Sequence, residues 1–200
     1  MRDMGLSPET SHESASDEEL AARIQQGDET ALAEIMHRFE PKLMRYGNQF
    51  LRGESEDVLR QAVQDIFITT YQKIEGFNTY QRFSPWIYRI AHNAFVDILR
   101  QKVRQPIYGI NFDILLSHPV HEDIHAKEKE SEEIRVLLEK GLDALPAAQR
   151  EIIVLYYFED LSYKEIADVL HVPVSTVGVR LSRARATLSK HLPDASDVLL

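Results

Sequence analysis

The chain has 200 residues, 44% of them hydrophobic, and no cysteine, which suits one or two compact domains and excludes disulfide frameworks and thiolate metal centres. Its formal net charge of −9 counts globally against nucleic-acid binding, because duplex phosphates draw on Lys and Arg. The charge is segregated, though: acids gather at Asp17, Glu18 and Glu19 and again at Glu122, Asp123, Glu128, Glu130, Glu132 and Glu133, whereas Arg180, Arg183, Arg185 and Lys190 stand in a stretch, residues 169–193, that holds no acid. The apolar runs are too short to cross a bilayer, and residues 1–16 lack a basic stretch followed by an apolar one, so a cytoplasmic protein without membrane insertion is expected.

From Asp17 onward the pattern predicts helices. Ser16 followed by acids opens the first, with Leu20 and Ile24 inward, and the break at Gly27 and Asp28 starts a second whose Leu32, Ile35, Met36, Phe39 and Leu43 keep helical spacing. Pro41 is expected to bend that helix or mark a boundary. After a polar break at residues 53–57, Val58, Ala62, Val63, Ile66, Phe67, Thr70, Tyr71 and Ile74 trace a third helix that stops at Gly76. A loop over 77–84 leads to Pro85, placed in the first turn of a helix from Trp86 to about Val103. These elements make one all-helical domain, residues 17–104, behind a flexible tail, 1–16.

Residues 105–130, with Pro106, Gly109, Pro119 and mixed histidines and acids, lose periodicity and read as an irregular acidic linker. A second all-helical domain over 131–192 follows, then a short tail, 193–200. Its helices are expected from Ser131, over 146–158, over 162–170 and over 175–191. The last two form a helix-turn-helix. Ser162 with Glu165 makes a capping box, Ile166, Ala167 and Leu170 give the first helix its apolar face, and small Ala167 lets the second approach. Ser175 is placed to cap the second helix, with Val177, Leu181, Ala184 and Leu188 inward and Arg180, Arg183 and Arg185 outward.

The strings LSYKEIA at 161–167, VPVSTV at 172–177 and RLSRAR at 180–185 resemble region 4 of extracytoplasmic-function sigma factors of the sigma-70 family. VQDIF at 63–67, then Tyr71 and Phe77, then FSPWIYRIAHN at 83–93 resemble region 2 of the same family, and LDALP at 142–146 before Gln149 and Arg150 resembles the entry to region 4. The two blocks stand in the family's order and at its separation. The resemblance implies a non-enzymatic subunit that binds core RNA polymerase, at the clamp of the largest subunits and at the flap, and directs it to promoter DNA. It implies no cofactor and no metal. An anti-sigma factor or a kinase is the implied regulator.

By the same resemblance, the loop over 78–83 captures an extruded base of the −10 element. Stacking rings and a cationic path hold single strands, and Asn78, Tyr80, Gln81, Arg82, Phe83, Trp86 and Arg89 are the implied contacts, with Phe77, Arg100, Lys102 and Arg104 nearby. Gln61, Gln64, Asp65 and Phe67 are the implied polymerase-binding residues. The recognition helix brings Ser175, Thr176, Val179, Arg180, Arg183 and Arg185 to the −35 element; Arg183 is assigned to bases, Arg180 and Arg185 to phosphate or to packing. Asp113, Glu122 and Asp123 resemble the acidic connector that threads the polymerase.

Two stretches depart from the family pattern. Residues 58–61 include Arg60 and no acid where the family carries an acidic cluster used in docking; Glu54, Glu56 and Asp57 lie just upstream, and phosphorylation of Ser55, Thr69 or Thr70 would also restore charge. Gly178 and Val179 stand where a Lys or Arg followed by Ser is usual, and Gly178 is expected on the groove-facing side, which predicts a non-standard −35 element. Rival readings are a metal sensor built on His118, His121 and His125, whose helical context is poor, and a sigma-like decoy that occupies an anti-sigma partner without initiating.

Overall fold

Short polar caps set most helix boundaries in the structure, a computed structural model that describes residues 15–51, 53–102 and 132–191. Helix α1 (Asp17–Gln25) opens on a capping box: the Ser16 hydroxyl accepts the Glu19 amide at 3.1 Å and the Glu19 carboxylate accepts the Ser16 amide at 2.8 Å. Asp28 caps α2 (Glu29–Phe50) through the Thr30 and Ala31 amides. The Thr30 hydroxyl and then the Arg23 guanidinium hold the Asp28 carboxyl well below the usual carboxylate range. Pro41 neither ends nor bounds α2 but lies inside it, on the exposed face, where the carbonyl its ring leaves without a donor can turn to water.

Ser55 caps α3 (Glu56–Lys73), and a 3-10 turn, Ile74–Gly76, finishes it. Helix α4 (Phe83–Lys102) starts three residues earlier than Trp86, because the Glu18 carboxylate of α1 accepts the Phe83 amide at 2.8 Å. That cap comes from a residue 65 positions away, so local sequence could not announce it. Inside this block Ile35, Phe39, Leu43, Tyr46, Ile66, Phe83, Ile87, Tyr88 and Phe95 are fully buried. Tyr46 meets Tyr88 edge-on at 5.2 Å and Phe39 meets Phe83 at 5.3 Å.

Gly47 of α2 marks the closest approach of this packing. A Cβ there would stand 2.5 Å from Leu59 Cδ1 and 2.6 Å from Phe95 Cζ, and a ring locked among other rings cannot yield freely. Gly47→Ala is therefore expected to destabilise the protein by about 1–3 kcal/mol, despite alanine's better helix propensity. Thermal unfolding followed by circular dichroism checks this; a rise in Tm would show that α2 and α4 can separate without loss.

The second block holds α5 (Glu132–Gly141), a 3-10 turn (Leu142–Ala144), α6 (Ala147–Ile153), α7 (Tyr163–Leu170) and α8 (Val174–His191). The single helix expected over 146–158 is instead α6 followed by a π-helical turn, Val154–Phe158. All residues from 150 to 159 are buried, which one regular helix face cannot achieve, and the extra residue of a π turn rotates the residues after it onto a new face. Asp160, at φ +54°, ends the turn. The Ser162 and Glu165 capping box forms as expected, and His171 closes α7 in the left-handed region at φ +54°. Helix α8 begins one residue before Ser175, with the Pro173 carbonyl accepting the Thr176 amide at 2.9 Å. Ser175 therefore lies within the first turn and is not the cap.

Among the described residues there is no strand, and no helix is long and apolar enough to cross a membrane. The blocks α1–α4 and α5–α8 lie directly against each other, α4 on α7 and α2 on α6. The expected linker with Asp113, Glu122 and Asp123, the histidines His118, His121 and His125, Arg104, the Lys102 side chain, and residues 1–14 and 192–200 of the tails lie outside the described residues.

Candidate nucleic-acid interface

The turn before α4 is built from below. Gln25 donates through Nε2 to the carbonyls of Ile74 at 2.7 Å and Phe77 at 2.8 Å, which fixes the base of the loop on α1. Above it, Asn78 Oδ1 accepts the Tyr80 amide at 3.0 Å and the Asn78 carbonyl accepts the Gln81 amide at 2.9 Å, an Asx-type turn with its own hydrogen bonds. Asn78, Gln81 and Arg82 are exposed, and Tyr80 is 98% exposed. A large ring held outside the fold on a self-bonded turn is available to stack on a flat partner.

Phe83 does not join that surface. It is fully buried, and Phe77, also buried, sits 5.5 Å from it and 5.0 Å from Trp86. Phe83 thus supports the loop and cannot meet a base. Trp86 is half-buried over this cluster and Arg89, on the next turn, is exposed. Arg82 is already engaged: its Nη1 donates to both Glu165 carboxylate oxygens at 3.0 Å and to the Asp160 carbonyl at 3.1 Å, all in the second block.

On α3, Gln61, Gln64 and Asp65 are exposed, while Phe67 is buried and faces the core, not a partner. Ile68 at 55% and Tyr71 at 54% exposure complete the outer stripe, and neither was singled out from sequence as a binding residue. The i, i+3, i+4, i+7 spacing of Gln61, Gln64, Asp65 and Ile68, continued by Tyr71 three residues on, was the signal. Arg60 pairs with Glu56, so part of the upstream acidic charge is neutralised. Ser55 is exposed, the Thr69 hydroxyl donates to the Asp65 carbonyl at 2.8 Å, and Thr70 is buried and so closed to a kinase.

On α8, Ser175, Ser182, Arg183, Ala186 and Lys190 are exposed and Thr176 and Val179 partly so. Gly178 is buried, which corrects its expected place on the groove side: it lies three residues before Leu181 and seven before Arg185, along the inward face. Arg185 donates from Nε to the Tyr157 hydroxyl at 2.7 Å, and its guanidinium lies 5.6 Å from the Tyr156 and Tyr157 rings. It serves packing. Arg180 is partly buried; burial lowers its pKa, against the field of Glu151.

Comparison with known proteins gives this arrangement a family. A sigma-70 region 2 family model matches residues 35–105 and a sigma-70 region 4 model matches residues 135–188. The chain is 31% identical over 182 residues to the ECF RNA polymerase sigma factor SigW of Bacillus subtilis, covering 86% of this chain and 94% of that one. It is 31% identical over 183 residues to the ECF RNA polymerase sigma-E factor of Escherichia coli K12, covering 88% and 94%. Among solved structures, CnrH in complex with the cytosolic domain of CnrY matches with a TM-score of 0.60 at 26% identity, covering 90% of this chain and 99% of that one. The sigma factor RpoE in complex with the anti-sigma factor NepR from Bartonella quintana shares the fold, with a TM-score of 0.54 at 23% identity over 79% and 94%. With both regions matched in order and relatives covered almost end to end, the chain belongs to the extracytoplasmic-function sigma factors of the sigma-70 family.

Proposed function

We propose that the chain binds core RNA polymerase in the cytoplasm and directs it to promoters, with residues 17–104 reading the −10 element and residues 131–192 the −35 element. The observation that carries this reading is the loop at 78–82: its backbone is fixed by Asn78 and Gln25, yet Tyr80 stands 98% exposed. Tyr80 stacks on an unpaired base, Asn78 shapes the turn, Gln81 supplies an amide, and Arg82, Trp86 and Arg89 line the strand's path. The stripe of Gln61, Gln64, Asp65, Ile68 and Tyr71 on α3 docks on the polymerase clamp, and the second domain meets the flap.

On α8, Arg183 reads a guanine, Val179 meets a thymine methyl, and Ser175, Thr176 and Lys190 hold phosphate. In the structurally similar proteins CnrH is bound to the cytosolic domain of CnrY, and the sigma factor RpoE to the anti-sigma factor NepR, which supports control of this chain by an inhibitory protein. Ser55, exposed before α3 and beside Glu54, Glu56 and Asp57, is the accessible alternative for control by a kinase.

Tyr80→Ala is expected to leave thermal stability within about 0.5 kcal/mol of wild type, because the ring packs on nothing. It should weaken binding of a single-stranded −10 oligonucleotide by about 1–3 kcal/mol, the worth of one stacked base. Fluorescence anisotropy titrations give the comparison. The whole reading is tested by mixing the purified protein with core polymerase and sequencing transcripts started on fragmented genomic DNA. Defined start sites support it; no stable complex would sink the initiation role and leave the decoy reading in its place.

A further inference from the structure

Helix α1 turns two polar side chains toward the loop before α4, and each holds one end of it. At the entry, Gln25 Nε2 donates to the carbonyls of Ile74 at 2.7 Å and Phe77 at 2.8 Å. At the exit, Glu18 Oε1 accepts the Phe83 amide at 2.8 Å. Glu18 and Gln25 are seven residues apart on α1, two turns of helix, so they share one face and stand about 10 Å apart along its axis. Both are half-buried. The Phe77 and Phe83 rings close the same two ends against each other at 5.5 Å.

Helix α1 is in turn fixed to α2. Arg38 Nη1 donates to the Ala15 carbonyl at 2.7 Å and to Asp17 Oδ1 at 2.9 Å, while Leu20, Ala21 and Ile24 are buried. The chemistry at the two ends of the loop is not interchangeable. A carboxylate only accepts and suits the Phe83 amide, whereas the two N–H bonds of the Gln25 amide suit two carbonyls. Between the clamped ends, residues 78–82 form a tip shaped by the bonds of the Tyr80 and Gln81 amides to Asn78.

We infer that α1 is a brace for base capture, in which Glu18 and Gln25 are positioning residues that hold the tip in the shape it needs to take an unpaired base on Tyr80. The inference rests on the −10 reading proposed above. Neither residue touches DNA in this role; both act through Tyr80. A loose tip must surrender backbone freedom when a base arrives, whereas a tip already held at both ends surrenders little, and the difference appears as affinity. It appears as discrimination too, since a site of fixed shape penalises the wrong base and a yielding one adapts to it.

The test compares full-length variants assembled with core RNA polymerase. Fluorescence anisotropy follows labelled single strands that carry the −10 element given by the transcript starts, or differ from it at one base. Gln25→Met keeps the length and charge of the side chain and removes both donors. It should weaken the −10 strand about threefold to tenfold, the net worth of a hydrogen bond, and flatten discrimination at the base on Tyr80, with −35 duplex affinity unchanged. In a Tyr80→Ala background the same substitution should change affinity by about twofold at most, because the brace then has no ring to position. At the other end, Glu18→Gln retains an oxygen for the Phe83 amide and Glu18→Met does not, so at equal charge only the second should lose affinity. Hydrogen exchange at the Tyr80 and Gln81 amides should quicken in Gln25→Met and in Glu18→Met.

Equal losses with and without the Tyr80 ring would overturn the brace and leave Gln25 a stabiliser of the fold alone. Wild-type affinity and discrimination in both Gln25→Met and Glu18→Met, with Tyr80→Ala still impaired, would overturn it while the −10 reading stands. If Tyr80→Ala binds the strand as wild type does, or no complex with core polymerase forms, the −10 reading fails and the brace falls with it.

Discussion

Replacing Arg150 with leucine is expected to lower the stability of the second helical block by about 3–5 kcal/mol, because two buried carbonyls lose their donors at roughly 1–3 kcal/mol each. Arg150 is 7% exposed; its Nε donates to the Leu142 carbonyl at 2.9 Å and its Nη2 to the Leu145 carbonyl at 2.8 Å. It thereby ties the 3-10 turn at Leu142–Ala144 to α6. A third bond, Nη1 to the Gln49 carbonyl at 3.4 Å, reaches α2. Trp86 is the only tryptophan and belongs to the first block, so its fluorescence follows that block alone. In Arg150→Leu, circular dichroism should show an early partial loss of helix while the tryptophan signal keeps a later transition. Arg150→Lys, with a compact charge in place of the fork, should recover less than half of the loss. An unchanged first transition would mean that the turn is held by apolar packing, with Leu142 and Leu145 sufficient.

The contrast between Arg150 and its neighbours shows what sequence could carry. Apolar periodicity located the helices and the inward faces of α7 and α8, since Ile166, Ala167, Leu170, Val177, Leu181, Ala184 and Leu188 are all buried. The cap at Ser16 and the capping box at Ser162 were legible because their partners lie within four consecutive residues; that Glu19 completes a box at Ser16 is added by the structure. Failures came where a partner lies far along the chain or where periodicity vanishes. The Phe83 start of α4 depends on Glu18, and the π turn lies in an unbroken buried run with no face to read. Phe67 and Phe83 were placed at the surface by resemblance, although ring burial at those positions is what lets the exposed residues beside them hold their places. Gly178 was readable: its spacing to Leu181 is a helical i, i+3 step onto the buried stripe. The bond that the Tyr46 hydroxyl donates to Glu151 across the two blocks was not, because the two residues are 105 positions apart and neither looks exceptional alone.

Arg183→Ala should cost about 1–3 kcal/mol in binding a −35 duplex, roughly fivefold to 150-fold, concentrated at a single guanine. Its neighbours on α8 sharpen the test. Arg185 is spent on Tyr157 and Arg180 is partly buried, so of the three arginines on this helix Arg183 alone is exposed. The outer stripe around it, Ser175, Val179, Ser182 and Ala186, is small or apolar, which leaves few other hydrogen bonds to bases. Discrimination should therefore collapse at one base pair in Arg183→Ala, while thermal stability stays within about 0.5 kcal/mol of wild type. Arg185→Ala should do the reverse, lowering Tm and changing sequence preference little. Titrations against duplexes altered one base pair at a time, repeated across salt concentrations, separate the roles. Lys190→Ala, as a phosphate contact, should lower the salt slope by about 1 and weaken all sequences alike. If Arg183→Ala behaved that way too, Arg183 would be a backbone anchor, and base reading would fall to Val179 and the serines, which discriminate more weakly. Replacing thymines of the element with deoxyuridine removes only methyl groups, so a loss that appears with Val179 and disappears in Val179→Ser would locate that contact independently of Arg183.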